Sequence, residues 1–191
     1  MSGELPGPSL EELAAAARGC RACPELAGTR TSVVVGVFPP GARLLLVGEA
    51  PGAQEDATGL PFVGRAGRLL DGLLGELGLD RAGVAVANVV KCRPPGNRLP
   101  RRAEITRCSG FLRAQVAAAD PTVVVSLGGT ATAWALGPGL RLADVRGRVH
   151  PWNGRRLVPS YHPSAALRFG PGGAPLAALR ADLALAAGLV R

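Results

Sequence analysis

The hydrophobic pattern of the chain alternates between short uninterrupted apolar runs and longer amphipathic stretches. Three apolar runs, at residues 43–48, 84–90 and 122–127, each lead into a segment rich in glycine, proline or polar residues. Short continuous apolar runs are typical of strands that are buried on both faces of a parallel sheet. Further strands are predicted at residues 33–37, 145–149 and 156–159, the last two paired around Asn153-Gly154.

Amphipathic stretches between these runs predict helices. Strands that alternate with helices predict a mostly parallel α/β sheet with helices on both of its faces. The first helix has Ser9 as a candidate N-cap, and Gly19 ends it. The predicted helices cover residues 8–18, 65–78, 102–118, 130–137 and 176–188.

A glycine-rich loop that carries a carboxylate, Gly48-Glu49-Ala50-Pro51-Gly52, follows the first buried strand. Polar residues also lie at or just beyond other predicted strand ends, at Asn88, Ser126 and His162. In open α/β sheets, ligands bind at the carboxyl ends of the strands. We therefore expect Glu49 and these three residues to converge on one cleft.

Length and charge narrow the class of protein. The 191 residues favour one domain, and the 47% hydrophobic content favours a folded chain. The net charge of +8 indicates a polyanionic partner such as nucleic acid. The alternative is a compositional bias toward arginine, since Lys91 is the only lysine, but such a bias does not explain the surplus of bases over acids.

The apolar segments exclude a membrane protein at the level of the sequence. The start, residues 1–6, lacks the basic and apolar regions of a secretion signal, and no apolar run approaches the ~20 residues of a membrane span. We therefore expect a soluble, cytoplasmic protein that is a monomer. In that compartment its four cysteines are not expected to form structural disulfides.

The four cysteines, Cys20, Cys23, Cys92 and Cys108, predict a metal site. A two-residue spacing like that of Cys20 and Cys23 lets two thiolates converge on one centre, and zinc and a 4Fe-4S cluster both accept four thiolates. The alternative is four unrelated buried cysteines that pack as small hydrophobes. A thioredoxin-type redox pair is disfavoured because this pair follows a helix rather than a strand.

Three separated motifs resemble those of the family 4 (type A) uracil-DNA glycosylases. The first combines residues 48–52 with Pro61-Phe62-Val63-Gly64, the second covers residues 88–95, and the third is His162-Pro163-Ser164. The resemblance spans residues 20–170, and the cysteines fall where this family holds a 4Fe-4S cluster, with zinc as the second choice. It implies a three-layer αβα sandwich around a mostly parallel four-stranded sheet. We expect residues 1–191 to form one domain, with residues 1–40 an N-terminal extension tied in by the cluster.

The resemblance also implies an activity. Members of the family flip uracil out of DNA and hydrolyse its N-glycosidic bond, leaving an abasic site in base excision repair. Phe62 would stack on the flipped base, and the amide of Asn88 matches the O4 and N3–H edge of uracil. His162 resembles the family histidine that contacts uracil O2. His150 is followed by Pro151-Trp152 instead of Pro-Ser, so we interpret it as structural.

The first motif would supply the remaining contacts to the base and the sugar. By resemblance, Glu49 positions the attacking water, and its charge stabilises the cationic sugar. Glu55 resembles the position that crowds the C5 edge of uracil and excludes the methyl group of thymine. Gly48 and Ala50 flank Glu49 and are expected to line the base site.

Several loops would bind the DNA backbone and the groove. Ser126 and Gly128 are candidate phosphate ligands at the start of a helix. Leu167 or Arg168 could fill the space left by the flipped base, although two alanines make this wedge small and Phe169 to Gly173 lengthen its loop. The expected DNA-binding set is Pro94, Pro95, Ser126, Gly128, Ser164, Leu167 and Arg168.

Two other functions remain open from the sequence. A superfamily member can cross-link covalently to the abasic site through a histidine in an inserted loop, but residues 101–105 contain no histidine. A catalytically silent iron–sulfur protein that binds nucleic acid would not need the intact set of Glu49, Asn88 and His162. We therefore expect an active monofunctional uracil-DNA glycosylase.

Overall fold

A five-stranded sheet forms the centre of the computed structural model, which describes residues 7–190. The strand order is β2-β1-β3-β5-β4, and only β4 runs antiparallel to its neighbour. The expected α/β sheet is confirmed, with five strands instead of four because a short edge strand is added. The strands are β1 (Leu44–Gly48), β2 (Ala85–Asn88), β3 (Val123–Leu127), β4 (His150–Trp152) and β5 (Arg155–Ser160).

Helices cover both faces of the sheet. Two short 3-10 turns, Arg81–Gly83 and Pro95–Asn97, precede β2 and follow it. Within residues 7–190, no helix has the length and apolar character needed to cross a membrane. The helices are α1 (Leu10–Gly19), α2 (Pro24–Thr29), α3 (Ala53–Thr58), α4 (Arg65–Glu76), α5 (Arg102–Ala119), α6 (Gly129–Leu136), α7 (Leu142–Val145), α8 (Pro163–Phe169) and α9 (Ala174–Val190).

Two hydrophobic clusters lie on opposite faces of the sheet. Leu44 and Leu46 of β1 belong to the cluster formed with α4, α8 and α9. Leu45 and Val47 belong to the other cluster, formed with α2, α5 and α6. Because successive side chains of a strand point to opposite faces, a strand in the middle layer must be apolar throughout. This is the three-layer αβα sandwich that the family resemblance implies.

Three local predictions differ from the structure. Residues 33–37 form no strand; Val37 makes a single antiparallel bridge with Val86, and Gly36 has a φ of +109°, which interrupts an extended ladder. The chain after His162 is helical (α8) rather than a loop. The predicted strand at residues 145–149 is wrong, since Val145 ends α7 and the strand that pairs with β5 is His150–Trp152. The predicted turn of this hairpin at Asn153-Gly154 is confirmed, with positive φ at both residues.

The N-terminal segment is held by backbone hydrogen bonds as well as by packing. The backbone N–H groups of Thr31 and Ser32 donate to the buried carboxylate of Asp56, and Val34 N donates to the carbonyl oxygen of Lys91 at 2.8 Å. These contacts fix residues 31–34 against α3 and the segment after β2. Residues 1–6, where no secretion signal was predicted, and residue 191 lie outside the described part of the chain.

Candidate active site

A cavity of about 250 Å³ opens at the carboxyl edge of the sheet. It brings together three of the four polar groups expected there, those of Glu49, Asn88 and His162, and adds the ring of Phe62. Its remaining lining residues are Ala50, Pro51, Gly52, Glu55, Ala66, Pro94, Asn97, Arg98 and Ser164.

The loop after β1 is held together by Glu55. Its carboxylate accepts hydrogen bonds from Gly52 N at 3.1 Å and Gly64 N at 2.8 Å, so it joins the start of α3 to the start of α4. Phe62 lies between these helices with a φ of +55°, a conformation that side chains other than glycine seldom adopt. A Cβ on Gly67 would overlap the backbone of Phe62 and would lie 2.9 Å from the Cα of Phe62, so only glycine permits this turn.

Asn88 is the last residue of β2 and pairs with Gly48 of β1. Its side chain is 2% exposed, and its Oδ1 atom has no hydrogen-bond partner in the described part of the chain. Its carbonyl oxygen accepts a hydrogen bond from Lys91 Nζ at 2.9 Å, and burial lowers the pKa of Lys91 to about 8. The backbone at Asn88 is therefore fixed, while a buried acceptor of its side chain remains unsatisfied.

His162 is the N-cap of α8, and its ring orientation follows from that position. Ser164 N donates to His162 Nδ1 at 3.1 Å, so the neutral ring carries its proton on Nε2. Loss of hydration lowers the pKa of His162 to about 4, and the nearby charge of Glu55 opposes this shift only in part. The ring centroid lies 5.6 Å from that of Phe62, with 33° between the planes. At neutral pH His162 is therefore an uncharged N–H donor beside an aromatic face.

Glu49 follows β1 and is half-buried between two cavities. The hydroxyl group of Thr130, in the first turn of α6, donates a hydrogen bond to Glu49 Oε2. The second cavity, of about 460 Å³, extends from Glu49 past Gly128 and Ser164 to Arg168. Glu49 thus lies at the boundary between the first cavity, which we call the base-sized cavity, and the second, which we call the wider groove.

The prediction that Ser126 binds phosphate is wrong. Ser126 is fully buried, and its hydroxyl lies 3.0 Å from that of Thr132 on α6. In β3, even-numbered residues such as Val124 face the α6 side, so Ser126 points into the protein rather than to the strand end.

The other predicted DNA-binding residues have separate positions. The wider groove is lined by Gly128, Ser164 and Arg168. Pro94 is buried and lines the base-sized cavity, whereas Pro95 lines neither cavity. Leu167 is 37% exposed and does not line either cavity, and the more exposed Phe169 lies two residues beyond it.

The contacts that Thr130 and Arg98 make at the site were not predicted from the sequence. Arg98 lines the base-sized cavity and forms two hydrogen bonds with the buried Glu104, at 2.9 and 2.7 Å. Its place three residues after the second motif, residues 88–95, could have indicated its position. Nothing in the sequence indicates that Thr130 would contact Glu49, 81 residues away.

The four cysteines line one small cavity between α2, the segment after β2, and α5. None forms a disulfide. Burial raises the pKa of Cys23 and Cys92, and raises that of Cys108 to about 11. The four thiols therefore surround one cavity without bonding to one another.

The surroundings of the sulfur atoms suit thiolate ligands. Arg30 Nη1 donates to Cys92 Sγ at 3.1 Å, and Lys91 N donates to Cys108 Sγ at 3.2 Å. Hydrogen bonds of this kind stabilise sulfur that carries negative charge. Within residues 7–190, however, no three His, Cys, Asp or Glu side chains come close enough to hold a single metal ion.

Comparison with known proteins identifies the superfamily of this chain. The family model described as "Uracil DNA glycosylase superfamily" matches residues 35–184, which include every strand of the sheet and Cys92 and Cys108.

Individual relatives narrow the class. A type-4 uracil-DNA glycosylase of Thermotoga maritima is 48% identical over 151 residues, which cover 78% of each chain. Enzymes of the same name from Sulfurisphaera tokodaii and Archaeoglobus fulgidus are 42% and 38% identical, over 83% of this chain and 76% and 83% of their own. The chain belongs to the type-4 uracil-DNA glycosylases.

Proposed function

We propose that this protein is a monofunctional DNA repair glycosylase, which hydrolyses the N-glycosidic bond of uracil in DNA and leaves an abasic site. One observation carries the proposal: the unpartnered Oδ1 of Asn88 is buried in the same cavity as the Nε2–H of His162 and the ring of Phe62. An unsatisfied buried acceptor costs about 1–3 kcal/mol, which a ligand with a matching donor would recover.

Asn88 would select uracil through its amide. Oδ1 can accept the N3–H of uracil, while the amide NH2 donates to O4. Cytosine presents an unprotonated N3 and an amino group at these positions. With the amide fixed, its NH2 group would face the cytosine amino group, and its Oδ1 would face the unprotonated N3, so neither hydrogen bond could form. The hydrogen bond from Lys91 Nζ to the Asn88 carbonyl oxygen fixes the strand end that carries this amide.

Phe62 and His162 would hold the flipped base from its face and its O2 edge. Stacking of a base on an aromatic ring contributes about 1–3 kcal/mol. As the C1′–N1 bond breaks, negative charge develops on the uracil oxygens. The Nε2–H of a neutral His162 can donate a hydrogen bond to O2 and stabilise this charge. The ring is already in this neutral form, so no proton must be moved before it can donate.

Glu49 would act on the sugar. We infer that its carboxylate orients a water molecule toward C1′ and stabilises the oxocarbenium-like transition state by its charge. The oxygen of the water bonds to C1′, the C1′–N1 bond breaks, the uracil anion leaves with the bonding electrons, and Glu49 accepts the proton of the water. Its place between the two cavities supports this role, since the deoxyribose must lie between the base and the DNA backbone.

The wider groove would hold the DNA backbone. Gly128 and Gly129 at the start of α6, together with Ser164 and Arg168, offer N–H groups, a hydroxyl and a positive charge to phosphate. The net charge of +8 would attract DNA in general. Leu167 remains our candidate for the wedge, now at the exposed side of a helix.

We propose a 4Fe-4S cluster held by Cys20, Cys23, Cys92 and Cys108, with zinc as the alternative. The four thiols line one cavity, and the resemblance to an iron–sulfur family favours the cluster over zinc. The cluster would cross-link the segment before α2 to the segment after β2 and to α5.

The activity is tested with an oligonucleotide that carries one uracil, unpaired or opposite guanine or adenine. We expect strand cleavage at the uracil only after alkali, which is the sign of an abasic product. Asn88→Ala and His162→Ala should each slow excision by about 100-fold or more and retain the absorbance of the cluster. Asn153→Gly and His150→Gln, both outside the cavity, are the matched controls.

Two other outcomes would contradict the proposal. A DNA–protein band that survives denaturation would indicate covalent capture of the abasic site. Binding that salt abolishes, with no excision of uracil, would indicate a silent nucleic-acid-binding protein. Wild-type rates in the Asn88 and His162 variants would refute the site while leaving the activity intact.

A further inference from the structure

The first turn of α6 lies between Glu49 and His162, two polar residues that line the cavity. Its N-cap, Gly128, packs against His162, since a Cβ at Gly128 would lie 3.1 Å from the Cβ of His162. Two residues later, the Thr130 hydroxyl donates to Glu49 Oε2. One helical turn therefore contacts the backbone that carries His162 and the carboxylate of Glu49.

This turn is itself anchored to the sheet. Gly128 N donates to the Ser160 carbonyl oxygen at 2.8 Å, which ties the turn to the end of β5. Thr132, 2% exposed, is hydrogen-bonded through its hydroxyl to Ser126 of β3 at 3.0 Å. The Thr130 hydroxyl is thus attached to a rigid element rather than to a mobile loop.

The contact leaves the two oxygen atoms of Glu49 in different situations. Oε2 accepts the hydrogen bond from Thr130, whereas Oε1 accepts none from a residue in the described part of the chain. A carboxylate with both oxygens free would rotate between several conformers, and a residue that must hold one water molecule loses effectiveness when it does so. The Thr130 contact selects one conformer and leaves the other oxygen available.

We propose that Thr130 is a positioning residue of the glycosylase reaction, which orients Glu49 so that Oε1 holds the attacking water. The inference rests on the role proposed above for Glu49. Thr130 does not contact the base, because it lines neither of the two cavities at the sheet edge. Its removal should therefore change the rate of bond cleavage and leave the binding of DNA unchanged.

The test compares Thr130→Val, which keeps the shape but lacks the donor, with Thr130→Ser, which keeps the donor. A hydrogen bond to a charged group is worth about 1.5–3 kcal/mol, so Thr130→Val should lower the single-turnover rate by about 10- to 100-fold. The Kd for uracil-containing DNA should stay within about twofold, and Thr130→Ser should stay near the parent rate. Thr122→Val, which removes a hydroxyl contact to Arg43 at the opposite end of β3, is the control for folding.

A double-mutant cycle with Glu49→Gln separates this inference from the proposed function. If Thr130 acts through Glu49, Thr130→Val should cause no further loss in the Glu49→Gln background. A full additive loss there, or a parent rate for Thr130→Val alone, would overturn the role of Thr130. A parent rate for Glu49→Gln would instead overturn the role of Glu49, and that of Thr130 with it.

Discussion

Gly48 and Asn88, paired across β1 and β2, are packed so closely that a Cβ on Gly48 would overlap the Asn88 Oδ1 atom. The same Cβ would lie 2.6 Å from Cζ of Phe62. Glycine at this position therefore leaves the space in which the amide and the aromatic ring meet. The strand pairing that builds the sheet also sets the width of the base site.

The first prediction concerns Gly48→Ala. The added methyl group would displace the side chains of Asn88 and Phe62 without disturbing buried backbone, so we expect a folded protein with impaired chemistry. A displacement of about 1 Å in a reacting group can cost about 100-fold in rate, and we expect a loss of that order in single-turnover excision. The thermal midpoint serves as the control for folding. A variant with the parent rate would show that Asn88 does not need its observed position.

The second prediction concerns Gly67→Ala in α4. Because a Cβ here would collide with the backbone of Phe62, either the helix or the turn must move. We expect a destabilisation of about 3 kcal/mol or more, measured by chemical denaturation. Gly72→Ala in the same helix is the control: nothing lies within 4 Å of its Cβ, so it should stabilise the protein by about 0.5–1 kcal/mol. Equal stability of both variants would contradict the packing at Phe62.

The third prediction is the protonation state of His162. Its pKa is lowered to about 4, whereas a histidine in an unfolded chain has a pKa near 6.5. The folded state therefore resists protonation. The stability that depends on a neutral His162 is complete above about pH 6.5 and is lost as the pH falls toward 4. Imidazole 15N shifts should report a neutral Nε2–H ring throughout pH 5.5–8.

The signal of His162 can be assigned without ambiguity, because the chain has two histidines and the His150→Gln variant removes the other. Because His162 stays neutral around pH 6.5, the pH profile of the excision rate should show no step at pH 6.5 that is due to this residue. A titration midpoint at or above 6.5 would mean that the ring is charged at the site. In that case the neutral donor proposed for uracil O2 would be wrong.

The fourth prediction concerns the buried ion pair beside the base cavity. Glu104 is 5% exposed and accepts hydrogen bonds from Arg98 and from Arg101 N, and the pairing with Arg98 lowers the pKa of its carboxyl group. Glu104→Gln would leave Arg98 only the more exposed carboxylate of Glu25, at 3.3 Å, and should destabilise the fold by about 2 kcal/mol. Glu76→Gln, which breaks an exposed pair with Arg180, should cost less than about 1 kcal/mol. Similar losses in both variants would contradict this difference.

The fifth prediction concerns the thiol site. Cys92→Ala should lose bound iron and lower the thermal midpoint by about 10 °C or more, because the segment before α2 would lose its link to the sheet. Ser109→Ala, on the exposed part of α5, is the control. Iron analysis and differential scanning calorimetry measure the two effects. A purified parent protein that is fully active without iron, or that holds stoichiometric zinc, would contradict the 4Fe-4S proposal.

The sequence by itself determined the middle layer and the position of the loops. Residues 44–47 and 123–125 are apolar without interruption because both faces of these strands are buried. Because parallel strands end at the same edge, the sequence also predicted correctly that Glu49, Asn88 and His162 would meet. The prediction that the four cysteines form one site came from the spacing of Cys20 and Cys23 and from the number of thiols, and all four line one cavity.

Only the tertiary structure decided where the individual side chains point. Ser126 sits one residue from the end of β3, but the alternation of the strand turns its hydroxyl toward Thr132 instead of the groove. The Thr130 hydroxyl donates a hydrogen bond to Glu49, which is 81 residues away in the sequence. The turn at Phe62 is possible only because Gly67 has no Cβ atom. These contacts depend on strand register and on helix placement, which arise from the packing of the whole core. The local sequence determines which segments form helices and strands. Which side chains then contact one another depends on how these helices and strands pack together.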